Sequence, residues 1–525
     1  MATPSGIPAI ELRGLNKSFG EVRANAEVSL CIHPGTIHGI VGENGAGKST
    51  AMKMLYGIYP PDAGEILLDG KIRQWKSPAD AIAAGVGMVH QHFMLAGPYT
   101  ALENIILGAE PGLGGRVFNW LPPSFRPIDR RGVRARLDQL AWQYKLSVDW
   151  DKPVERLSVG IQQRVEILKL LYRDARILIL DEPTAVLTPQ ETSELFNNLR
   201  KLRDEGKTIL IITHKLKEVM AVTDHISVFR AGRVTGEVET AKTSPQQLAE
   251  MMVGRKVVLQ VQAPEATAVG ANALEVTGLS LAAPEEGAKA RLAEVSLRVQ
   301  EGEIVGIAGV EGNGQSELMQ ALLHPCDPQC RTSGRVRILE KDVTALAARE
   351  IRDLGVGLIP EDRHREGVML ERPVRENFLL GLHRRPEFLD AAGMISNREV
   401  DRSAGSAMEV FDIRPRSLTV SIGGLSGGNQ QKLVIAREFQ RAPRLLIAAQ
   451  PTRGVDVGAI EFIHGQIFKA RSEGAGVLLV SSELDEILTL SDRILVMYEG
   501  RIVAEFIRGS CDERTLGLCM SGAKI

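Results

Sequence analysis

The motif order in the first half of this 525-residue chain is repeated in the second, and this duplication limits the possible folds more than any other feature. The glycine-rich run from Gly42 to Thr50 returns in altered form from Gly309. Gly87-Met88-Val89 returns as Gly357-Leu358-Ile359, and Leu157-Ser158 as Leu425-Ser426, all at nearly the same offset. A repeat of this size is a whole domain rather than one turn of a solenoid. Two domains are expected, at 1–255 and 273–525, joined by a linker at 256–272. The centre of that linker, from Gln260 to Gly270, is rich in Ala, Pro and Gly and carries no helical apolar stripe.

Within each half, short apolar runs such as Thr36–Val41, Ile177–Leu180 and Thr208–Ile212 alternate with longer amphipathic stretches such as Gln190–Glu205. That alternation predicts an α/β fold with buried parallel strands. The net charge of −2 offers no basic footprint for nucleic acid. No run approaches the roughly 18 apolar residues of a spanning helix, so work at a membrane would go through partners. Five cysteines, an odd number in a long chain, suit a reducing compartment. His324, Cys326 and Cys330 lack a fourth ligand at a zinc-like spacing and read as a loop. Trp75, Trp120, Trp142 and Trp150 have no regular spacing and read as packing residues.

The chemistry begins at Gly42-Glu43-Asn44-Gly45-Ala46-Gly47-Lys48-Ser49-Thr50, a phosphate-loop pattern directly after an apolar strand. Glycines let successive N–H groups face phosphate oxygens, Lys48 meets the β and γ oxygens, and Ser49 can ligate Mg²⁺. Downstream, the buried run Ile177-Leu-Ile-Leu ends in Asp181-Glu182. Paired carboxylates at a strand end are often a solvated turn. Beside a phosphate loop they suggest a metal-shell carboxylate, Asp181, followed by a water-polarising base, Glu182.

Leu157-Ser158-Val159-Gly160-Ile161-Gln162-Gln163 and its twin Leu425-Ser426-Gly427-Gly428-Asn429-Gln430-Gln431 open helices with a Ser and small residues, a second kind of anion site. They resemble the signature sequence of ATP-binding-cassette ATPases, and the resemblance covers essentially the whole chain. It implies two tandem P-loop nucleotide-binding domains, each with a RecA-like core, an antiparallel β subdomain and a helical signature subdomain. It also implies that Phe19 stacks on adenine, that Gln91 is the switch-loop glutamine at Mg²⁺ and water, and that His214 is the switch histidine at the γ-phosphate. The implied ligands are ATP and Mg²⁺.

The second half departs from this pattern. Gln315 replaces the phosphate-loop Lys, Ala449 and Gln450 replace the Asp-Glu pair, Glu361 the switch glutamine and Ser482 the histidine. In the family resembled, each site joins the phosphate loop of one half to the signature of the other. One complete site would then combine the first loop with Ser426, Gly427, Gly428 and Asp456. The other would combine the altered loop with Val159 and Thr188.

Ile359-Pro-Glu-Asp-Arg363 and Pro451–Asp456 are similar to the fused ATPases of monosaccharide and nucleoside importers. Val89-His-Gln-His-Phe93 and Ala448-Ala-Gln-Pro-Thr452 look more like the nucleoside branch. The resemblance implies two transmembrane permease subunits, an extracytoplasmic solute-binding protein and a peripheral position on the cytoplasmic face of the membrane. A sugar importer is the alternative. A soluble ATPase acting on ribosomes is disfavoured by the short, nearly uncharged linker, and a non-hydrolysing regulatory binder by the complete first set of motifs.

Overall fold

Val, Ile and Leu runs buried on both faces form the centre of each half. The computed structural model describes residues 6–20, 22–91, 93–111, 128–184, 187–256, 269–282, 290–310, 312–326, 331–455 and 457–522. Most of the linker (257–268), together with Asp456, His92, Trp120 and Cys330, lies outside the described residues. The chain forms two units, residues 1–187 with 191–256 and residues 257–525 with 188–190.

The strands of the first unit are β1 (Ile10–Phe19), β2 (Val22–Ile32), β3 (Ile37–Gly42), β4 (Ala63–Leu68), β5 (Lys71–Arg73), β6 (Val86–Val89), β7 (Ile177–Asp181), β8 (Thr208–Thr213), β9 (His225–Arg230) and β10 (Arg233–Glu239). One sheet has the order β2-β1-β4-β5 and is antiparallel; the other has the order β10-β9-β3-β8-β7-β6. Every residue of β3, β7 and β8 is buried, as the centre of a parallel sheet covered on both faces requires. At the edge, β10 runs antiparallel to β9 and alternates in exposure. Register sets Val41 beside Thr213 and Asp181 beside Ile212. The carboxyl ends of β3, β7 and β8, the usual ligand-binding edge of an open α/β sheet, thus lie together.

The second unit repeats this plan with β11 (Asn272–Leu281), β12 (Leu292–Gln300), β13 (Ile304–Ala308), β14 (Thr332–Ile338), β15 (Lys341–Asp342), β16 (Val356–Ile359), β17 (Leu445–Ala449), β18 (Gly476–Ser481), β19 (Arg493–Tyr498) and β20 (Arg501–Ile507). Its sheets have the orders β12-β11-β14-β15 and β16-β17-β18-β13-β19-β20. Each unit also has a helical layer. Helices Ala101–Ile106, Arg130–Tyr144 and Val159–Tyr172 share a core with Ile105, Leu137 and Leu168. Helices Val374–Leu379, Asn397–Val410 and Gly427–Phe439 do so with Phe378, Val400 and Leu433.

Trp142 corrects the sequence reading, for it is 84% exposed rather than packed. The buried stripe of its helix runs through Val133 and Leu137, and Trp142 falls about 180° round the helix from Val133. Trp150 is buried, as expected of a packing residue, and donates to Asp138.

A repeated bracket holds the strand before each glycine-rich loop. Asp224 accepts from the Ile37 N–H at 2.8 Å and from Arg203 at 3.0 Å. Asp492 accepts from the Ile304 N–H at 2.8 Å and from Arg471 at 2.9 Å, with Arg508 at 3.2 Å. Arg471 is fully buried, whereas Arg203 is partly exposed. Removing the carboxylate from a buried pair costs about 3 kcal/mol, against about 1 kcal/mol or less near the surface. Denaturant midpoints of the full chain are therefore expected to fall further for Asp492→Ala than for Asp224→Ala. Equal shifts would contradict this reading.

Candidate active site

Gly47 turns the chain into helix Lys48–Leu55 with φ 93°, and a Cβ there would lie 2.4 Å from the Ala24 carbonyl oxygen. No larger residue fits both constraints. Lys48 is buried and bends back over the loop, its Nζ donating to the Gly42 carbonyl at 2.8 Å and the Glu43 carbonyl at 2.9 Å. Ser49 Oγ donates to Asp181 Oδ1 at 3.2 Å. A lysine, a hydroxyl and a carboxylate are thereby gathered at the ends of β3 and β7.

Glu182 has φ 48°, a region unfavourable for a residue with a side chain, and its N–H donates to Ile212 O at 2.8 Å. The carboxylate meets side chains that follow two other strands. Gln91, after β6, donates through Nε2 to Oε2 at 2.8 Å, and Oε1 pairs with His214 Nδ1, after β8, at 2.9 Å. Of the residues singled out in the sequence, Lys48, Ser49, Gln91, Asp181, Glu182 and His214 are thus brought together. Phe19 stands outside this cluster on β1, its exposed ring edge-on to Tyr59 with centroids 5.1 Å apart.

The charges are tuned in opposite directions. Burial raises the Asp181 pKa, and the Glu182 charge adds to that rise while Ser49 and the lysines oppose it. For Glu182, burial also acts upward, but the hydrogen bond and charge of His214, with Lys48 and Lys215, outweigh it and hold the pKa below the usual glutamate value. Glu182 is therefore ionised at neutral pH. Burial lowers the Lys48 pKa, an effect the nearby Glu182, Asp181 and Glu43 counter.

The two signature helices are fastened alike by the last glutamine of each signature, whose role is not evident in the sequence. Gln163 Nε2 donates to Pro183 O, and Gln431 Nε2 to Pro451 O at 2.8 Å, tying each helix to the turn after its Asp-Glu position. The repeated Gln-Gln at 162–163 and 430–431 was the available signal. The helix starts differ, since Val159 is 41% exposed where the second unit has Gly427. Ser426 Oγ accepts from the Asn429 N–H at 3.4 Å and from Asn429 Nδ2 at 2.9 Å.

In the second unit the backbone is kept, while the charges at the loop-lysine and Asp-Glu positions are gone. Gln450 has the same φ of 48° as Glu182, and its N–H donates to Val480 O at 2.7 Å. Its Oε1 accepts from Ser482 N–H at 3.1 Å and Ser482 Oγ at 3.2 Å, a neutral copy of the Glu182–His214 pair. Gln315 is buried against Gly309. The Ser316 hydroxyl donates to Glu361 Oε2 at 2.7 Å.

Residues 26–185 and 292–453 match the ABC transporter family. The chain belongs to that family. It is 44% identical to a nucleoside import ATP-binding protein of Lactococcus lactis over 98% of both chains. It is 45% identical to a glucose import ATP-binding protein of Haloferax volcanii, covering 98% of this chain and 96% of that one. A guanosine import ATP-binding protein of Bacillus subtilis is 43% identical, covering 98% of this chain and 97% of the other. The protein is therefore an ATP-binding ABC ATPase with two cassettes, and no helix among its described residues is long and apolar enough to cross a membrane.

Proposed function

We propose that this ABC ATPase hydrolyses ATP at one site only. The first cassette supplies Gly42–Thr50, Gln91, Asp181, Glu182 and His214, with Phe19 against adenine; the second supplies Ser426, Gly427 and Gly428. The observation that carries this reading is the contrast between Glu182, ionised and held by Gln91 and His214, and Gln450, held in the same backbone geometry by Ser482.

Lys48 and the loop N–H groups bind the phosphates. The Ser49 hydroxyl beside the Asp181 carboxylate is a donor set suited to Mg²⁺, which these two residues would hold and which would neutralise charge developing on the phosphates. Each Glu182 oxygen engaged by Gln91 or His214 keeps a second lone pair, so the carboxylate can orient a water and take its proton. The bond at Nδ1 fixes the His214 ring and leaves Nε2 for the γ-phosphate.

The hydrolysis would drive import through two permease subunits, fed by a solute-binding protein, from the cytoplasmic face of the membrane. The import names of the relatives support this reading. A pocket that includes His90, next to Gln91 in the chain, and is lined by Tyr56, Met88 and Met94 with Glu166 and Arg173, is the surface proposed to receive a permease segment. The proposed solute is a nucleoside, on the strength of the nucleoside and guanosine relatives and the Val89–Phe93 and Ala448–Thr452 segments. The glucose relative supports sugar as the second reading. Deleting the gene is expected to impair uptake of labelled nucleosides more than of pentoses or hexoses. The reverse ranking would transfer the protein to the sugar branch.

A further inference from the structure

After β16 the second cassette carries a strap, Glu361-Asp362-Arg363-His364, whose side chains reach three separate elements. Glu361 accepts from the Ser316 hydroxyl at 2.7 Å, at the start of the helix after the glycine-rich loop. Arg363 Nη1 donates to Arg453 O at 2.6 Å and Nη2 to Gly454 O at 3.2 Å, in the turn after β17. Arg363 Nε lies 3.4 Å from Gln430 Oε1, which His364 Nε2 also meets at 2.8 Å, on the signature helix.

The guanidinium closes directly over the signature. A Cβ on Gly427 would lie 2.8 Å from Arg363 Nη2 and 2.6 Å from Gly454 O, so the glycine is required by what covers it. A cation beside a helix N-terminus opposes the helix dipole. Burial, and to a smaller degree Arg453, works against the charge as well and holds the Arg363 pKa below the usual arginine value, although Asp362 favours the charge. Such a placement does not serve stability alone. It makes sense where a positive charge and a fixed backbone are needed beside an anion.

Among its described residues the first cassette lacks this device. Phe93 occupies the position equivalent to Arg363, and Val159 the position equivalent to Gly427. Gln162 and Gln430 hold their own helix starts in the same way, donating to Val154 and Leu157 carbonyls and to Ile422 and Leu425 carbonyls respectively. Among the described residues, the Gln430 oxygen alone is also gripped by a strap. The arginine thus sits on the one signature proposed to serve the hydrolytic site.

We propose that Arg363 is a positioning residue for ATP hydrolysis: by bridging the Arg453–Gly454 turn to Gln430 across the Gly427 helix start it holds the second signature in the arrangement that grips the γ-phosphate presented by the first cassette, and it links that grip to the switch segment at Glu361. This rests on the reading that the second signature completes the first site.

The test uses the full chain assembled with its permeases. Arg363→Ala and Arg363→Met are expected to lower kcat about tenfold or more, the loss associated with charged hydrogen bonds, while KM for ATP moves less than about threefold. Arg363→Lys, which keeps the charge and reaches one carbonyl, should recover part of the rate. A packing role would instead leave Arg363→Met within about twofold of the parent, and that result would overturn the inference. So would Arg363→Lys no faster than Arg363→Met, or a rate loss accompanied by loss of MgATP binding in the Glu182→Gln background. Ser426→Ala, measured alongside, separates the two levels. If it leaves the rate unchanged, the shared-site reading fails; if it slows turnover while Arg363→Ala does not, the arginine assignment alone fails.

Discussion

Glu182→Gln is expected to lower ATP turnover by at least about 10²-fold, the low end for losing a general base, while MgATP binding persists. Lys48, Ser49 and Asp181 make no hydrogen bond to the Glu182 side chain, so the phosphate and metal positions survive the change. What is lost is local. Two neighbours, Gln91 Nε2 and His214 Nδ1, approach the two carboxylate oxygens at 2.8 and 2.9 Å. An amide offers only one oxygen, so one neighbour must turn away or change tautomer, and position 182 no longer carries a carboxylate to accept a proton from water. Gln450→Ala at the equivalent position should change the rate little, because no carboxylate stands there. Phosphate release and MgATP binding by the purified protein with its membrane partners would check both variants. Substantial activity in Glu182→Gln would place the base elsewhere.

Much of this site was legible because its parts are short and local. The strand runs 177–180 and 208–212 extend by one residue each in the structure, and the helix expected at Gln190–Glu205 spans Pro189–Asp204. Apolar runs and their punctuation set these bounds. The glycine-rich loop, the Asp-Glu pair and the signature are contiguous, so their chemistry could be read in place. Contacts between distant residues could not. Arg363 reaches a turn 91 residues away at Gly454, and only folding shows that it covers Gly427. The left-handed backbone at Glu182 left no mark either, since glutamate is not a residue that ordinarily signals positive φ. Trp142 was misjudged because a large aromatic is usually buried, and only its angle round the helix shows that it faces solvent.

If one hydrolytic site is shared between the cassettes as proposed, the two signature serines have unequal roles. Ser426 begins the helix with Gly427 and Gly428 and is held in place by Asn429, whereas Ser158 precedes an exposed Val159. If the first loop is completed by the second signature, Ser426→Ala removes a hydroxyl from the γ-phosphate grip of the working site. On the same pairing, Ser158→Ala would remove one that serves only the altered loop of Gln315 and Ala449. Losing one charge-assisted hydrogen bond in the transition state corresponds to roughly tenfold or more in rate. Phosphate release by the assembled transporter should therefore fall at least about tenfold for Ser426→Ala and less than about twofold for Ser158→Ala. Equal losses from the two changes, or a larger loss from Ser158→Ala, would contradict a single site shared in this way.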